Sequence, residues 1–228
     1  MIDRRFSSAC FLRSGVCVLG GHSGTLYFTD RNLSCVVAIM RPCDKAPITC
    51  LHEYRHQGQT RVIAADAQGC IAGIQMTVDD VKSLHVEAEE LFTLETKHQT
   101  IRSMDVKKNI LAFGCPSGAG TMDLDSLQIK VQQSVHHGET LAVHAHAHYP
   151  LFASVGSDRV LKVMQSQTRS EIFHKHFPKS KQAHADTLDI HGRQADTGFS
   201  SVGWSSCGTR LAMGTLDGEV RNHLSKYP

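Results

Sequence analysis

"LFASVGSDRVLKVMQSQ", residues 151–167, predicts two short strands joined by a tight polar turn. Small and β-branched residues at 151–155 and 160–164 flank the Gly156-Ser157-Asp158-Arg159 turn, the composition of a β-hairpin. The same arrangement recurs in "VCVLGGHSGTLYFTD" (16–30), "RVIAADAQGCIAGIQ" (61–75), "ILAFGCPSGAGTMDLD" (110–125) and "RLAMGTLDGEVRNHL" (210–224). Aligned on the last turn position, Gly24, Gly69, Gly118, Arg159 and Gly218 share one column, the third copy fitting loosely because Gly120 competes for the place. Glycine suits that column because a tight hairpin often needs φ > 0. Arg159 breaks the column and predicts a turn of another type or some strain.

Spacings of 45, 49, 41 and 59 residues separate the five copies, the shorter ones close to the ~40–45 residues of a four-stranded propeller blade. A further strand-like stretch precedes each later hairpin: "ITCLHEY" (48–54), "IRSMDV" (101–106), "LAVHAHAH" (141–148) and "FSSVGWS" (199–205). Weaker fourth strands follow at 34–40, 127–133 and 170–176, while 77–90 reads as a charged hairpin or loop. No stretch has the length and period of a long amphipathic helix. The expected fold is therefore all-β: one propeller region over 1–228, with about five blades near 6–42, 45–96, 98–137, 138–177 and 195–228 and a polar insertion at 174–194. A seven-bladed ring would need roughly 280–315 residues. The chain has 228, so an incomplete or open ring is expected.

Composition narrows the function classes. A net charge of +2 gives no bulk attraction to nucleic acid. No apolar run approaches the roughly 20 residues of a membrane span, and "MIDRRFSSACF" lacks an apolar signal core. The eight cysteines are never closer than seven residues, so no C-x2-C motif exists, and reduced thiols in a cytoplasmic setting are expected.

In its turn and spacing the fourth copy, "HGETLAVHAHAHYPLFASVGSDRVLKVMQ", resembles the WD-repeat family. His137 matches that family's Gly-His histidine, with His136 in the glycine's place; Ser154 matches the strand serine, Asp158 the turn aspartate and Met164-Gln165 the Trp-Asp pair. In the fifth copy Asp217 takes the aspartate's place, and in the first Thr29-Asp30 keeps the Asp. The signature tryptophan is missing from every copy, since the single tryptophan, Trp204, lies on a first strand. "TIRSMDVKKNILAFG", "GETLAVHAHAHYPLFASVGSDRVLKV" and "GFSSVGWSSCGTRLAMGTLDGEV" together resemble three blades in the second propeller of echinoderm-microtubule-associated-protein-like proteins, over roughly the last 130 residues. The resemblance implies a structural network of His137, Ser154, Asp158 and Asp217, and a non-catalytic scaffold that binds other proteins, tubulin or microtubules among them. It further implies a cytoplasmic, cytoskeletal location. Scaffolding of another multiprotein assembly is the alternative within the same class.

Three features invite chemical readings. On a strand, His144, His146 and His148 would share one face about 6.5–7 Å apart, the basis for a metal-dependent propeller enzyme as the alternative of another class. The favoured reading is a solvent-facing stripe opposite Leu141, Val143, Ala145 and Ala147. His137, Ser154 and Asp158 resemble a catalytic set, but Ser154 is mid-strand and poorly placed for attack. "GCPSGAGT" (114–121) lacks the lysine of a phosphate loop and reads as a hairpin turn. Lys175, Lys179, Lys181 and Arg193 in the insertion are candidates for contact with an acidic partner. No catalytic residue, cofactor, metal or small-molecule substrate is expected, nor nucleic acid or membrane as partner.

Overall fold

The computed structural model describes residues 5–43, 46–78, 86–96, 99–133, 135–178, 198–216 and 218–224. These are all-β, and among them no helix is long and apolar enough to cross a membrane. The chain divides into two compact units, residues 1–109 and 110–228.

The first unit holds β1 (Phe6–Phe11), β2 (Cys17–Gly21), β3 (Leu26–Thr29) and β4 (Val36–Met40), which pair in sequence order as one four-stranded antiparallel sheet. A second such sheet follows from β5 (Ile48–His56), β6 (Gln59–Asp66), β7 (Cys70–Val78) and β8 (Val86–Glu95), and β9 (Ser103–Lys107) packs beside β5. Between the two sheets Val18, Leu26 and Phe28 meet Ile48, Val62, Ala64 and Ala72, all fully buried. Of the two readings of 77–90, a charged hairpin or a loop, the structure takes the hairpin: β7 and β8 pair antiparallel out to Val78 and Val86, and 79–85 lies outside the described residues.

The second unit begins with β10 (Ile110–Cys115), β11 (Gly118–Asp123) and β12 (Ile129–Gln133), paired in order. Next comes a four-stranded sheet of β13 (Thr140–Ala145), β14 (Leu151–Gly156), β15 (Val160–Gln165) and β16 (Glu171–His176). β17 (Phe199–Trp204), β18 (Arg210–Thr215) and β19 (Val220–Leu224) form a three-stranded sheet. Ala112, Ala119 and Val135 pack on Val143, Phe152 and Met164 of one face of the β13–β16 sheet. Its other face, Ala153, Val155, Leu161 and Val163, packs on Phe199, Trp204, Leu211 and Met213. Val143, Ala145, Phe152, Ala153, Leu161 and Val163 are all buried because both faces of the sheet are covered, and Lys162 and His144 are half-buried. Lys162 stays at the surface, where its Nζ meets Glu171 Oε2 at 2.7 Å.

The five hairpins fall on the expected turn segments, and four share one device. Gly24, Gly69, Arg159 and Gly218 have φ of 77, 89, 62 and 84°, and each N–H donates to the carbonyl three residues earlier. A three-residue loop of this kind ends in a left-handed residue that restores the strand twist. Arg159 keeps the glycine conformation despite its Cβ, at a cost of roughly 1–2 kcal/mol. Its buried guanidinium offsets this: Nε donates to the Phe177 carbonyl at 3.2 Å, and the Phe177 N–H returns a bond to the Arg159 carbonyl at 3.0 Å. Gly118 leaves the column. It pairs directly with Cys115 across the two-residue loop Pro116-Ser117, so the third hairpin is one residue shorter.

Gly69 and Gly58 separate strain from crowding. Both have positive φ, but a Cβ on Gly69 would meet the Gln99 carbonyl oxygen at 2.5 Å, whereas one on Gly58 meets open space. Gly58→Ala is expected to cost about 1 kcal/mol and Gly69→Ala clearly more. Urea unfolding of both variants checks the order; equal midpoints would contradict it.

Candidate functional site

Ser154 sits in the middle of β14, where neither face reaches water, and its side chain is fully buried. A hydroxyl placed there needs a partner, because an unpaired buried polar group costs about 1–3 kcal/mol. His136, just ahead of β13, supplies it: Nε2 lies 3.1 Å from Ser154 Oγ, and Nδ1 lies 3.0 and 3.2 Å from the two Asp158 carboxylate oxygens. A carboxylate only accepts, so Nδ1 carries the proton and donates to Asp158, while Nε2 accepts from the serine. Asp158 also accepts the Val160 N–H at 3.1 Å and the His137 N–H at 2.9 Å. One histidine thereby ties the strand, the β14–β15 turn and the chain entering β13 together. Gly156 makes room for the ring, since a Cβ there would come within 2.7 Å of His136 Cγ.

The structure corrects the expected network by one residue. His136 provides the ring, and His137, which is exposed, contributes its backbone N–H to Asp158. Ser154 and Asp158 are brought together with His136 as partners; Asp217 lies outside the described residues. The connectivity is that of a Ser-His-Asp triad, but Ser154 Oγ is closed off within the sheet. A nucleophile needs access to substrate and an oxyanion-stabilising pair of donors beside it. What the arrangement does chemically is hold a turn to a strand. Burial pushes the His136 pKa below its ordinary value, outweighing Asp158, which pulls it up.

The expected stripe of three histidines does not form. β13 ends at Ala145, and the His146 ring turns inward and is buried. Its Nδ1 accepts the N–H groups of His148 and Tyr149 at 3.0 and 3.1 Å, and its Nε2 therefore donates to the Gly208 carbonyl at 3.1 Å. Both ring nitrogens are spent on backbone, leaving neither for a metal. Trp204 and Tyr149 pack around the ring at centroid distances of 4.6 and 5.3 Å. Gly208, at φ 73°, lies so close that a Cβ would fall 2.4 Å from His146 Cε1. The ring acts as a turn residue, overriding the alternation that would have kept the strand going. His144 is half-buried and His148 exposed, so the three occupy three different environments.

A further cap recurs at the ends of the third strands. Asp30 Oδ1 accepts the Ser34 and Cys35 N–H groups at 2.6 and 2.9 Å, and Ser34 Oγ donates to Oδ2 at 2.7 Å. Those bonds, the Ser34 hydroxyl first, hold its pKa down at about 2. Asp123 accepts the Asp125 and Ser126 N–H groups in the same way, and the Gln165 side chain accepts from Thr168 Oγ1. Sequence reading found the Thr29-Asp30 and Met164-Gln165 pairs but missed Met122-Asp123, which the shorter third hairpin shifts by one position. Of the four basic residues considered for partner contact, Lys175 is exposed with its Nζ 5.0 Å from the Phe177 ring centroid; Lys179, Lys181 and Arg193 lie outside the described residues.

No protein-family model matches the chain, and no curated protein matches it.

His136→Ala is expected to destabilise the chain by about 2–4 kcal/mol, and His137→Ala by less than about 0.5 kcal/mol because its backbone N–H remains. Urea midpoints of the two variants test this; equal effects would contradict it. The pH dependence follows from the lowered pKa values of His136 and His146, for both of which burial is the leading cause. Below about 6.5 the unfolded chain binds protons that the folded chain resists, so stability falls as pH drops from about 7 towards 5. Thermal midpoints across that range are expected to decline, and His146→Asn, which removes one of the two groups, to flatten the decline.

Proposed function

We propose that the sheets are successive blades of a WD-repeat-type β-propeller of about five blades, an incomplete or open ring, and that it works as a non-catalytic protein-interaction scaffold. The repeated four-strand meander and the His136–Ser154–Asp158 network support this reading, as does the resemblance to the WD-repeat family. The observation that carries the binding role is a set of exposed apolar side chains on β1 and β4 of the first sheet. Ala9 and Ile39 stand exposed at the two ends of a cross-strand row that runs through half-buried Leu19 and buried Tyr27, with Phe11 in the adjoining row. Phe11 and Ile39 are 63% and 60% exposed, and Phe6, 46% exposed, sits edge-on to Tyr27 at 5.6 Å. Several large apolar side chains left exposed on one rigid sheet suit a contact with another protein.

The resemblance to echinoderm-microtubule-associated-protein-like proteins makes microtubules the partner to test first, in a cytoplasmic, cytoskeletal setting. Lys175 offers a positive charge to acidic tubulin tails. Scaffolding of a different assembly is the alternative. The metal-enzyme reading loses its support from geometry, because His146 has no nitrogen to give.

Co-sedimentation with stabilised microtubules separates the two scaffold readings. The proposed role predicts that the chain pellets with microtubules and that Phe11→Ser with Ile39→Ser weakens pelleting without lowering the thermal midpoint. A chain that stays in the supernatant at low salt would contradict the microtubule role.

A further inference from the structure

Cys43 and Cys70 are 27 residues apart in sequence, yet their Sγ atoms lie 2.8 Å apart in the buried interior of the first unit. Cys43 sits in the connection between β4 and β5, and Cys70 opens β7. Asp66, the last residue of β6, completes a buried group whose three ligand-type atoms all lie within 4.8 Å of one another. Two chemistries fit such a group, a disulfide or a metal ion.

The geometry favours the disulfide. Two unbonded sulfurs at 2.8 Å are already in close contact, and a bond needs a separation of about 2.05 Å, less than an ångström of further approach. Two thiolates on a tetrahedral zinc, each at about 2.3 Å, would instead stand about 3.8 Å apart, so the pair would have to open. Asp66 has a structural task that explains its presence: its Oδ1 accepts the Gln68 and Cys70 N–H groups at 2.9 and 2.8 Å and shapes the hairpin.

We propose that Cys43 and Cys70 form an oxidation site, a facing dithiol that a peroxide closes into an intrachain disulfide. Cys70, the less deeply buried of the two, attacks the peroxide O–O bond; it becomes a sulfenic acid and one water leaves. The Cys43 sulfur then displaces the sulfenic hydroxyl, the S–S bond forms and a second water leaves with the thiol proton. Two thiols are oxidised, and one peroxide is reduced to two waters. The contact with Cys70 and, after it, burial push the Cys43 thiol up, so both sulfurs react slowly until one is oxidised. The bond clamps the β4–β5 connection to the β6–β7 hairpin and closes a loop that spans β5 and β6. Its main effect is to restrict the unfolded chain, so oxidation raises stability.

The test treats the folded full-length chain with hydrogen peroxide, alkylates the remaining thiols, digests without reductant and reads cross-linked peptides by mass spectrometry. The expected result is a Cys43–Cys70 peptide pair, together with a thermal midpoint several degrees higher that returns to its starting value on reduction. Cys43→Ser is expected to abolish both the cross-link and the oxidative rise, while Cys207→Ser, which alters an exposed thiol, keeps them. Recovery of Cys43 and Cys70 as alkylated thiols after unfolding, while Cys35 and Cys207 are oxidised, would overturn the proposal. So would zinc bound at one equivalent per chain that blocks the cross-link until it is chelated.

Discussion

A strand that is apolar at consecutive positions can be buried only if something covers both of its faces. β14 is such a strand, with Phe152 and Ser154 turned one way and Ala153 and Val155 the other, and all four are buried. Covering one buried phenylalanine contributes about 1.5–3 kcal/mol, so each sheet gains by packing against another. The same requirement makes a hydroxyl at Ser154 expensive unless it is bonded. His136 meets that need, Asp158 fixes the His136 tautomer, and the turn that bears Asp158 is thereby tied to the strand. Packing, register and turn geometry in this sheet follow from one buried position.

Several polar side chains elsewhere among the described residues play the same part, closing turns. Asp30, Asp66 and Asp123 each accept backbone N–H groups from the turn that follows, and His146 does so with a ring nitrogen. Arg159 pins its own left-handed turn through the Phe177 carbonyl. Of the groups that in sequence resemble metal ligands or a catalytic triad, His146 is spent on backbone and His136 on the Ser154 and Asp158 side chains. Large apolar side chains remain exposed at Phe11 and Ile39 of the first sheet and at Leu216 and Val220 beside and on β19. That division suits the proposed scaffold, in which sheets stiffened from within leave apolar side chains exposed.

Much of the fold was legible because hairpin turns obey local rules. The residue that needs φ > 0 is usually glycine, and its column located four of the five turns to the residue. Gly118 was misplaced because its hairpin loop, Pro116-Ser117, is one residue shorter, a change that a column of glycines does not register. The charged stretch 77–90 left hairpin and loop open, because the glutamates of "VEAEELFTLE" suit an exposed strand as well as a loop; the β7–β8 pairing decides for the hairpin. Choosing His136 over His137 was beyond a linear reading, since adjacent histidines differ only in which way the chain turns their rings. The strand carrying His144 was drawn too long for a related reason: alternation does not reveal that His146 will bond two amides beyond it. Cys43 and Cys70 follow no spacing motif and meet only through the packing of a connection against a hairpin.

The central claim, that the buried histidine and serine act as one unit holding the fourth sheet, is tested most directly by a double-mutant cycle. His136→Phe, Ser154→Ala and the double variant, compared with the parent chain by urea unfolding at pH 7.5, give the coupling between the two side chains. The account predicts a coupling of about 1–3 kcal/mol. Effects that add within about 0.3 kcal/mol would contradict it, leaving the two residues as neighbours without a shared structural role.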